Sequence, residues 1–515
     1  MSAGALVSPT TLIRNARLVP LADGDRVSDG PVDLLVDAGT VVEVGPGLDR
    51  PAGAQELDGG GRWAMPGLWD QHVHFAQWTL ASQRLDLGGA RSPEEAKRAV
   101  ADRIAAYPGL PVIGWGHRSA GWEREVTVSE LDAVSGDTPV VLICGDGHHA
   151  WLNTTALMHL ALPVRDSVVR EKEWFAVYPR LVTLVGTDGT SPEAYRRALD
   201  AAAARGVVGM SDFEFGGSRE EWAARWPHGC DRLRVRWATY ADTREEVIGA
   251  GLRTGDPLPG CDDRATMGPL KIISDGSLNT RTAWCCEPYG DAHRLEHPSG
   301  QPNVAGRELR ELFARAHGAG LDVACHAIGD AAVAEALAAY ASTGARGSIE
   351  HVQMARREDL RRMGELGIRA SVQPAHLLDD RDITERVWGG RSERCFAFRW
   401  MLEDGIELAL GSDAPVSPLD PWLAIAAAVH RSADDRDPWH AEQALTVREA
   451  LAASVDGQPT LRAGSRGDLV LLDRDPLLRD LPRVEAGDTA PLAAALRDLG
   501  SALTMVAGRV VHDGR

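Results

Sequence analysis

The chain has 515 residues, 44% of them hydrophobic, and carries 55 Lys and Arg against 74 Asp and Glu, a formal net charge of −19. Such an apolar fraction supports a large core and excludes global disorder, and the acidic balance disfavours a binder of nucleic-acid phosphates, which needs clustered positive charge. No apolar run approaches the roughly 18–20 residues of a membrane span, and residues 1–18 lack a basic stretch followed by an apolar core, so neither a span nor a signal peptide is expected. The cysteines Cys144, Cys230, Cys261, Cys285, Cys286, Cys325 and Cys395 are odd in number and scattered. That spacing argues against a disulfide framework and fits a reducing cytoplasm. The lack of a C-x-x-C pair argues against a thiolate zinc site.

Residues 10–60 read as short strands with β-branched alternation, broken by Asp-Gly and Gly-Gly turns. The stretches 466–476 and 503–514 have the same character, which predicts one small β-domain assembled from both chain ends. Between them, apolar strand-like runs alternate with Ala-, Arg- and Glu-rich helical runs such as 305–319 and 329–342. Strands are predicted at 63–74, 206–214, 232–239, 268–275, 321–326, 347–351, 367–374 and 406–413. This alternation reads as a (β/α)8 TIM barrel, with a doubly wound sheet as the alternative. The gap from 75 to 205 is too long for one crossover and predicts an insertion after the first barrel strand, with strands of its own at 111–115 and 139–144. The expected organisation is a β-sandwich part at 1–62, a barrel at 63–450 with its insertion at about 76–205, and the second β-sandwich part at 451–515. Residues 478–500 read as loop-prone.

Polar residues stand at the C-terminal ends of these strands, where barrels build their active sites. His72 and His74 form a His-x-His pair whose period-two spacing sends both rings to one side, and imidazole is the commonest ligand for zinc-like metals. His326 and His351 each close an apolar strand. One such histidine alone is more often a satisfied rim residue, but two in successive strands, following His-x-His, favour ligation. Asp413, in "LALGSDAPVSP", is either a turn former or a carboxylate that binds metal and carries a proton. Lys97, Lys172 and Lys271 are the lysines of a chain that otherwise uses arginine. Lys271 lies inside an apolar strand, where an ammonium is costly to bury. It either snorkels, pairs with Asp275, or reacts as a neutral amine with carbon dioxide to give a carbamate ligand, which an always-charged guanidinium cannot do.

Taken together these residues resemble the metal-dependent amidohydrolase superfamily, and most closely its YtcJ-like branch (amidohydrolase family 3), which includes N-substituted formamide deformylases. The stretches that carry the resemblance are "MPGLWDQHVHF" (65–75), 131–157 with "DGHHAWLN", "LKIISDGSLNTRTAW" (270–284), "CHAIGDAAV" (325–333), "SIEHVQM" (348–354), "SVQP" (371–374), "LGSDAPVSPLDPW" (410–422) and "GDLVLLDRDP" (467–476). They run in family order from about residue 10 to 512. The resemblance implies a (β/α)8 barrel with one or two divalent metals and a β-sandwich from both termini. It implies His72 and His74 as first-strand ligands, Lys271 as the lysine carbamylated in two-metal members, His326 and His351 as fifth- and sixth-strand ligands, and Asp413 as the eighth-strand aspartate. His148, in the insertion, is the implied contact over the active site. The family often reads Gly-x-Gly-Trp-Asp where this chain has "GWGHRSAGW" (114–122), so His117 and Arg118 stand where an aromatic and an acid or amide are common.

The expected chemistry is hydrolysis of a C–N bond (amide, formamide or cyclic amide) of a small molecule by a metal-bound hydroxide. Two zinc ions are expected, with manganese or iron as alternatives, bridged by the carbamate on Lys271. Coordination brings the pKa of bound water from near 16 to roughly 7, and Asp413 shuttles the proton to the leaving nitrogen. Trp115, Arg118, His148, Gln353 and Gln373 are the expected substrate contacts, with Arg118 as a solvated surface residue the competing reading. His293, His297, His376 and His440, with Asp146, Glu171 and Asp275, stand one rank below. The other readings are a one-metal aminohydrolase of aromatic rings, a carbamate or ester hydrolase, and a non-catalytic scaffold, which should lack several of these ligands. A cytoplasmic homodimer without nucleic-acid or membrane partners completes the expectation.

Overall fold

The structure is a computed structural model that describes residues 9–515 apart from 23, 26, 29, 118, 120, 121, 123, 145–148, 182, 183, 185, 186, 217, 218, 433–435, 459 and 480–488. At 171, 172, 175, 178, 179, 187 and 188 it describes the backbone only.

The β-rich N-terminal stretch forms β1 (Thr11–Leu18), β2 (Val32–Asp37), β3 (Thr40–Gly45), β4 (Gln55–Asp58) and β5 (Trp63–Pro66). The chain then enters the barrel with β6 (Leu68–Val73), whose residues are all buried. The run 63–74, predicted as one strand, thus divides at Gly67: its first part pairs with the terminal sheet, and its second part starts the barrel.

Residues Ala76–Ala198 form a compact unit of their own. Its sheet comprises β7 (Leu85–Asp86), β8 (Val112–His117), β9 (Val140–Cys144), β10 (His149–Leu152) and β11 (Val169–Arg170), in the order β11-β10-β9-β8-β7. The predicted strands at 111–115 and 139–144 are β8 and β9, a parallel pair, and β10 folds back antiparallel onto β9. The helix Pro93–Ala106 lies between β7 and β8. Its N-cap Ser92 accepts the Glu95 N–H, satisfying one of the donors that a helix start leaves open.

The other unit holds the barrel and the terminal sheet. After β6 come β12 (Val207–Asp212), β13 (Arg234–Thr239), β14 (Ala265–Ile273), β15 (Val323–Ala327), β16 (Gly347–His351), β17 (Arg369–Val372) and β18 (Leu408–Leu410). All pair in parallel, in sequence order, and each falls on a predicted strand. Strands covered on both faces read as continuous apolar runs, and every residue of β12 is buried accordingly. Helices Gly306–Ala319 and Asp330–Thr343 follow the predicted runs closely. Backbone bonds just past β18 close the ring: Asp413 N–H donates to His72 O (2.7 Å) and His74 N–H to Ala414 O (2.9 Å).

β19 (Leu469–Leu472), β20 (Leu503–Val506) and β21 (Arg509–Asp513) complete the terminal sheet, with β19 antiparallel to β5. Ile13, Leu34 and Val36 from one end of the chain share a core with Leu469, Leu471 and Met505 from the other. Arg234 reaches the buried Asp468 (2.6 Å), and Arg236 grips Asp456 with two bonds of 2.7 Å, so the start of β13 is bonded to the C-terminal segment. The stretch 478–500, expected as loop, contains the helix Ala490–Arg497. Its buried Ala493, Ala495 and Leu496 explain the difference, because tertiary packing stabilises a short helix that weak local propensity leaves unmarked.

Candidate functional site

His72 lies near the end of β6 and His74 directly follows the strand, at the C-terminal mouth of the barrel. Asp413 Oδ1 lies 3.5 Å from His72 Nε2 and 3.3 Å from His74 Nε2, and all three side chains are buried. The last strand can come this close to the first because residue 411 is glycine: a Cβ there would meet His72 N at 2.7 Å. Asp413 itself adopts φ 55°, a left-handed conformation that non-glycine residues tolerate mainly where the surroundings impose it.

Lys271, on β14, is 2% exposed. Its Nζ lies 3.2 Å from His72 Nε2 and 4.3 Å from the centre of the Phe213 ring. The pairing with Asp275 does not form. Asp275 instead accepts the N–H groups of Trp284, Ile328 and Gly329 and lies 3.4 Å from His326 Nε2. Burial lowers the Lys271 pKa, against the opposing charges of Glu350 and Asp413.

β16 brings two consecutive residues to one place. Glu350 Oε2 meets His72 Nδ1 at 2.7 Å, while the His351 ring lies 5.0 Å from the His72 ring and 4.5 Å from that of His326. Strict strand alternation would send neighbours to opposite faces. Here the strand breaks at His351, with φ 73°, followed by Val352 at φ 44°. His376 adds a third imidazole: single donor atoms of His351, His376 and Asp413 lie within 4.8 Å of one another, as do those of His72, His74 and Asp413. His326 stands apart from both groups, with Nε2 at 3.1 Å from Gly276 O.

Burial lowers His72 to about 4, helped by the charge of Lys271, and takes His351 well below the ordinary histidine range. Burial works to raise the Glu350 carboxyl, but the His72 bond and the neighbouring positive charges outweigh it and hold the group at about 2. Asp413 is likewise held well below the usual range by the histidines around it, against its burial. His72 and His351 are thereby favoured as neutral imidazoles beside the ionised Glu350 and Asp413, the protonation state that metal ligation requires. His351 Nδ1 and His376 Nε2 are buried without a hydrogen-bond partner. Such atoms are costly to leave unmade, and coordination at this mouth would satisfy them. The donor set fits divalent metal ions.

Glu350 is the residue that sequence patterns did not mark. Its one signal was an acid directly before a strand-ending histidine, which alternation would have turned away. The remaining expected contacts scatter. Gln353 donates to Asp380 (2.8 Å), and Gln373 donates to Ser371 O (3.3 Å) while its Oε1 is buried without a partner. Trp115 lies on β8 of the inserted unit, 37% exposed, with the Arg84 guanidinium over its ring. Arg118, His148 and Asp146 lie outside the described residues, as does the Glu171 side chain. Among the described residues, His293, His297 and His440 join neither barrel ligand group. Lys97 sits half-buried beside Glu94 and Glu130, and the Lys172 side chain is outside the description.

No helix among the described residues is long and apolar enough to cross a membrane. The profile of the amidohydrolase family matches residues 55–512. Protein LONG AFTER FAR-RED 3 of Arabidopsis thaliana is 29% identical over 88% of this chain and 82% of its own length. The amidohydrolase YtcJ of Bacillus subtilis is 26% identical, covering 89% and 93%. The N-substituted formamide deformylase of Arthrobacter pascens is 24% identical, covering 86% and 90%. The crystal structure of an uncharacterized metal-dependent hydrolase from Pyrococcus horikoshii superposes with a TM-score of 0.71 at 26% identity, over 91% of this chain and 98% of that one. With the closed barrel, the histidine–aspartate mouth and a family match over nearly its whole length, this chain belongs to the amidohydrolase family, in its YtcJ-like branch, and is a hydrolase.

Proposed function

We propose that the chain hydrolyses a C–N bond (amide, formamide or cyclic amide) in a small molecule, at two divalent ions of which zinc is the first candidate. His72, His74 and Asp413 would hold one ion and His326 and His351 the other, and Lys271, as a carbamate, would supply an anionic oxygen ligand to them. The observation that carries this reading is the setting of Lys271: a lysine buried against Phe213, its ammonium disfavoured, with Nζ at 3.2 Å from a candidate ligand atom. A neutral amine in that position is the form able to take up carbon dioxide.

When bound, such ions acidify a water and polarise the scissile carbonyl. The chain supplies the rest. The Glu350 carboxylate accepts the Nδ1–H of His72, which fixes the tautomer and turns Nε2 toward Asp413 and Lys271. Asp413, kept anionic by the histidines around it, is placed to take the proton of the attacking water and pass it to the leaving nitrogen. Asp275, braced by three backbone N–H groups, orients His326.

One observation favours a second reading, a one-metal aminohydrolase. His326 turns to the Gly276 carbonyl and stays outside the two ligand groups, so a single ion at His72, His74 and Asp413 is self-sufficient. The deciding experiment is hydrolysis of N-formyl amines, N-acyl amino acids, cyclic amides and carbamates by metal-replete protein, with metal counted per chain. The relative named for N-substituted formamides puts formamides first in that panel. Amine release with two ions per barrel supports the proposal. Turnover confined to esters, or ammonia released from a ring amine with one ion, overturns it.

A further inference from the structure

The inserted unit gathers a second set of soft and nitrogen donors. His117 ends β8, Cys144 ends β9 and His149 begins β10, so the three residues stand at the same end of three adjacent strands. One ligand atom from each lies within 4.8 Å of the others. Two features of the backbone and hydrogen bonding suit this group to an ion. First, the register between β8 and β9 shifts between Trp115 and His117, so that His117 stands opposite Cys144. The extra residue is Gly116, at φ 100°, a conformation that glycine reaches without strain. A bulge of this kind re-aims one side chain, and here it aims an imidazole at a thiol.

Second, the rings are oriented by their outer nitrogens. His117 Nε2 lies 3.0 Å from the Leu142 carbonyl, an acceptor only, so Nε2 carries the proton and Nδ1 keeps the lone pair. His149 Nε2 meets the Ser119 hydroxyl at 2.9 Å. Metal-ligating histidines are held in this way, one nitrogen on a carbonyl or hydroxyl and the other on the ion. Trp122 stacks on His117 at 5.2 Å, and Trp122 and Trp151 belong to the apolar core beneath, which shields the group from solvent.

We infer that His117, Cys144 and His149 form a metal site of their own, distinct from the barrel centre, taking a borderline-soft divalent ion of the zinc class. Two imidazoles and a thiolate are donors that suit zinc over magnesium or calcium. Binding releases the Cys144 thiol proton to solvent as the sulfur–metal bond forms. The ion joins β8, β9 and β10. The site involves His117, within the 114–122 segment where the chain departs from the pattern of the family it belongs to. Such a site needs no C-x-x-C pair, because its sulfur has histidines from two other strands as partners.

The test is cobalt(II) added to the reduced, metal-stripped full chain, with spectra recorded beside metal counts. The expected result is a thiolate-to-cobalt charge-transfer band in the near ultraviolet. It should persist in the H72A/H74A double variant and vanish in Cys144→Ala, which should also bind one zinc fewer per chain. A wild-type chain without the band overturns the proposal. So does a Cys144→Ala chain with band and zinc count unchanged, because the sulfur then comes from another cysteine such as the exposed Cys286. If Cys144→Ala does not fold, His149→Gln carries the count: loss of one zinc supports the site, and an unchanged count overturns it. None of these readouts uses hydrolysis, so failure here is distinguishable from failure of the C–N reading.

Discussion

The two histidine clusters differ in what surrounds their imidazoles. At the barrel mouth the partners are carboxyl groups and an amine: Asp413 among the rings, Glu350 on His72, Asp275 beside His326, Lys271 within reach of Nε2. Among the described residues of the inserted unit, the ring partners are a carbonyl and a hydroxyl, and the third donor is a thiol. An anionic oxygen shell raises ligand basicity and can hold and move protons, whereas a thiol with neutral braces suits an ion that stays in place. The same residue type thus serves chemistry in one unit and cross-strand bonding in the other.

The largest break in this comparison should come from Asp413→Asn. It keeps the shape of the carboxylate and removes its basicity, so kcat should fall by about 10²–10⁴-fold with metal content near that of the parent. An active variant would remove Asp413 as the proton carrier. Lys271→Arg keeps a long basic side chain, but an always-charged guanidinium cannot form a carbamate. It should lose one barrel ion and most turnover, as Lys271→Ala should, and full metal content in both would end the bridging role. Glu350→Gln sharpens the contrast between charged and neutral bracing. It should weaken metal affinity or activity by about 10–100-fold, read by competition with a chelator; an unchanged affinity would mean that a neutral brace serves His72 as well.

Two smaller effects belong to the inserted unit. Gly116→Ala forces a side chain into a left-handed bulge where its Cβ would meet Gly88 N at 3.2 Å. It should cost about 1–3 kcal/mol, seen as a lower melting temperature. Ser92→Ala removes a helix N-cap and should cost about 1 kcal/mol, measured by denaturant unfolding. A larger loss from the cap than from the bulge would contradict the view that the bulge requires glycine.

Much of the barrel was legible because its signals are local. Parallel strands covered on both faces must be apolar throughout, so each of the eight announced itself as a run, and the polar residue that ends such a run stands out. His72, His74, His326, His351 and Asp413 were marked as candidates in that way, and Lys271 as a lysine inside such a run. Glu350 was not, because alternation assigns it to the face opposite His351, and the left-handed turn that brings both to His72 is a tertiary effect. His376 was ranked low because it starts a helix, where nothing local separates it from a surface residue. The helix Ala490–Arg497 escaped for a related reason: its stability comes from the surface it buries.

The amino-acid order by itself determined which residues can be ligands and which strands carry them, because strand periodicity and the cost of burying a lysine act within a few residues. Only the tertiary structure decided which ligands meet. Asp413 reaches His72 because Gly411 lets the eighth strand lie against the first, and Cys144 faces His117 because a one-residue bulge shifts the register. Both depend on contacts between segments far apart in the chain, where the packing of two backbones, and not the propensity of either, sets the distance.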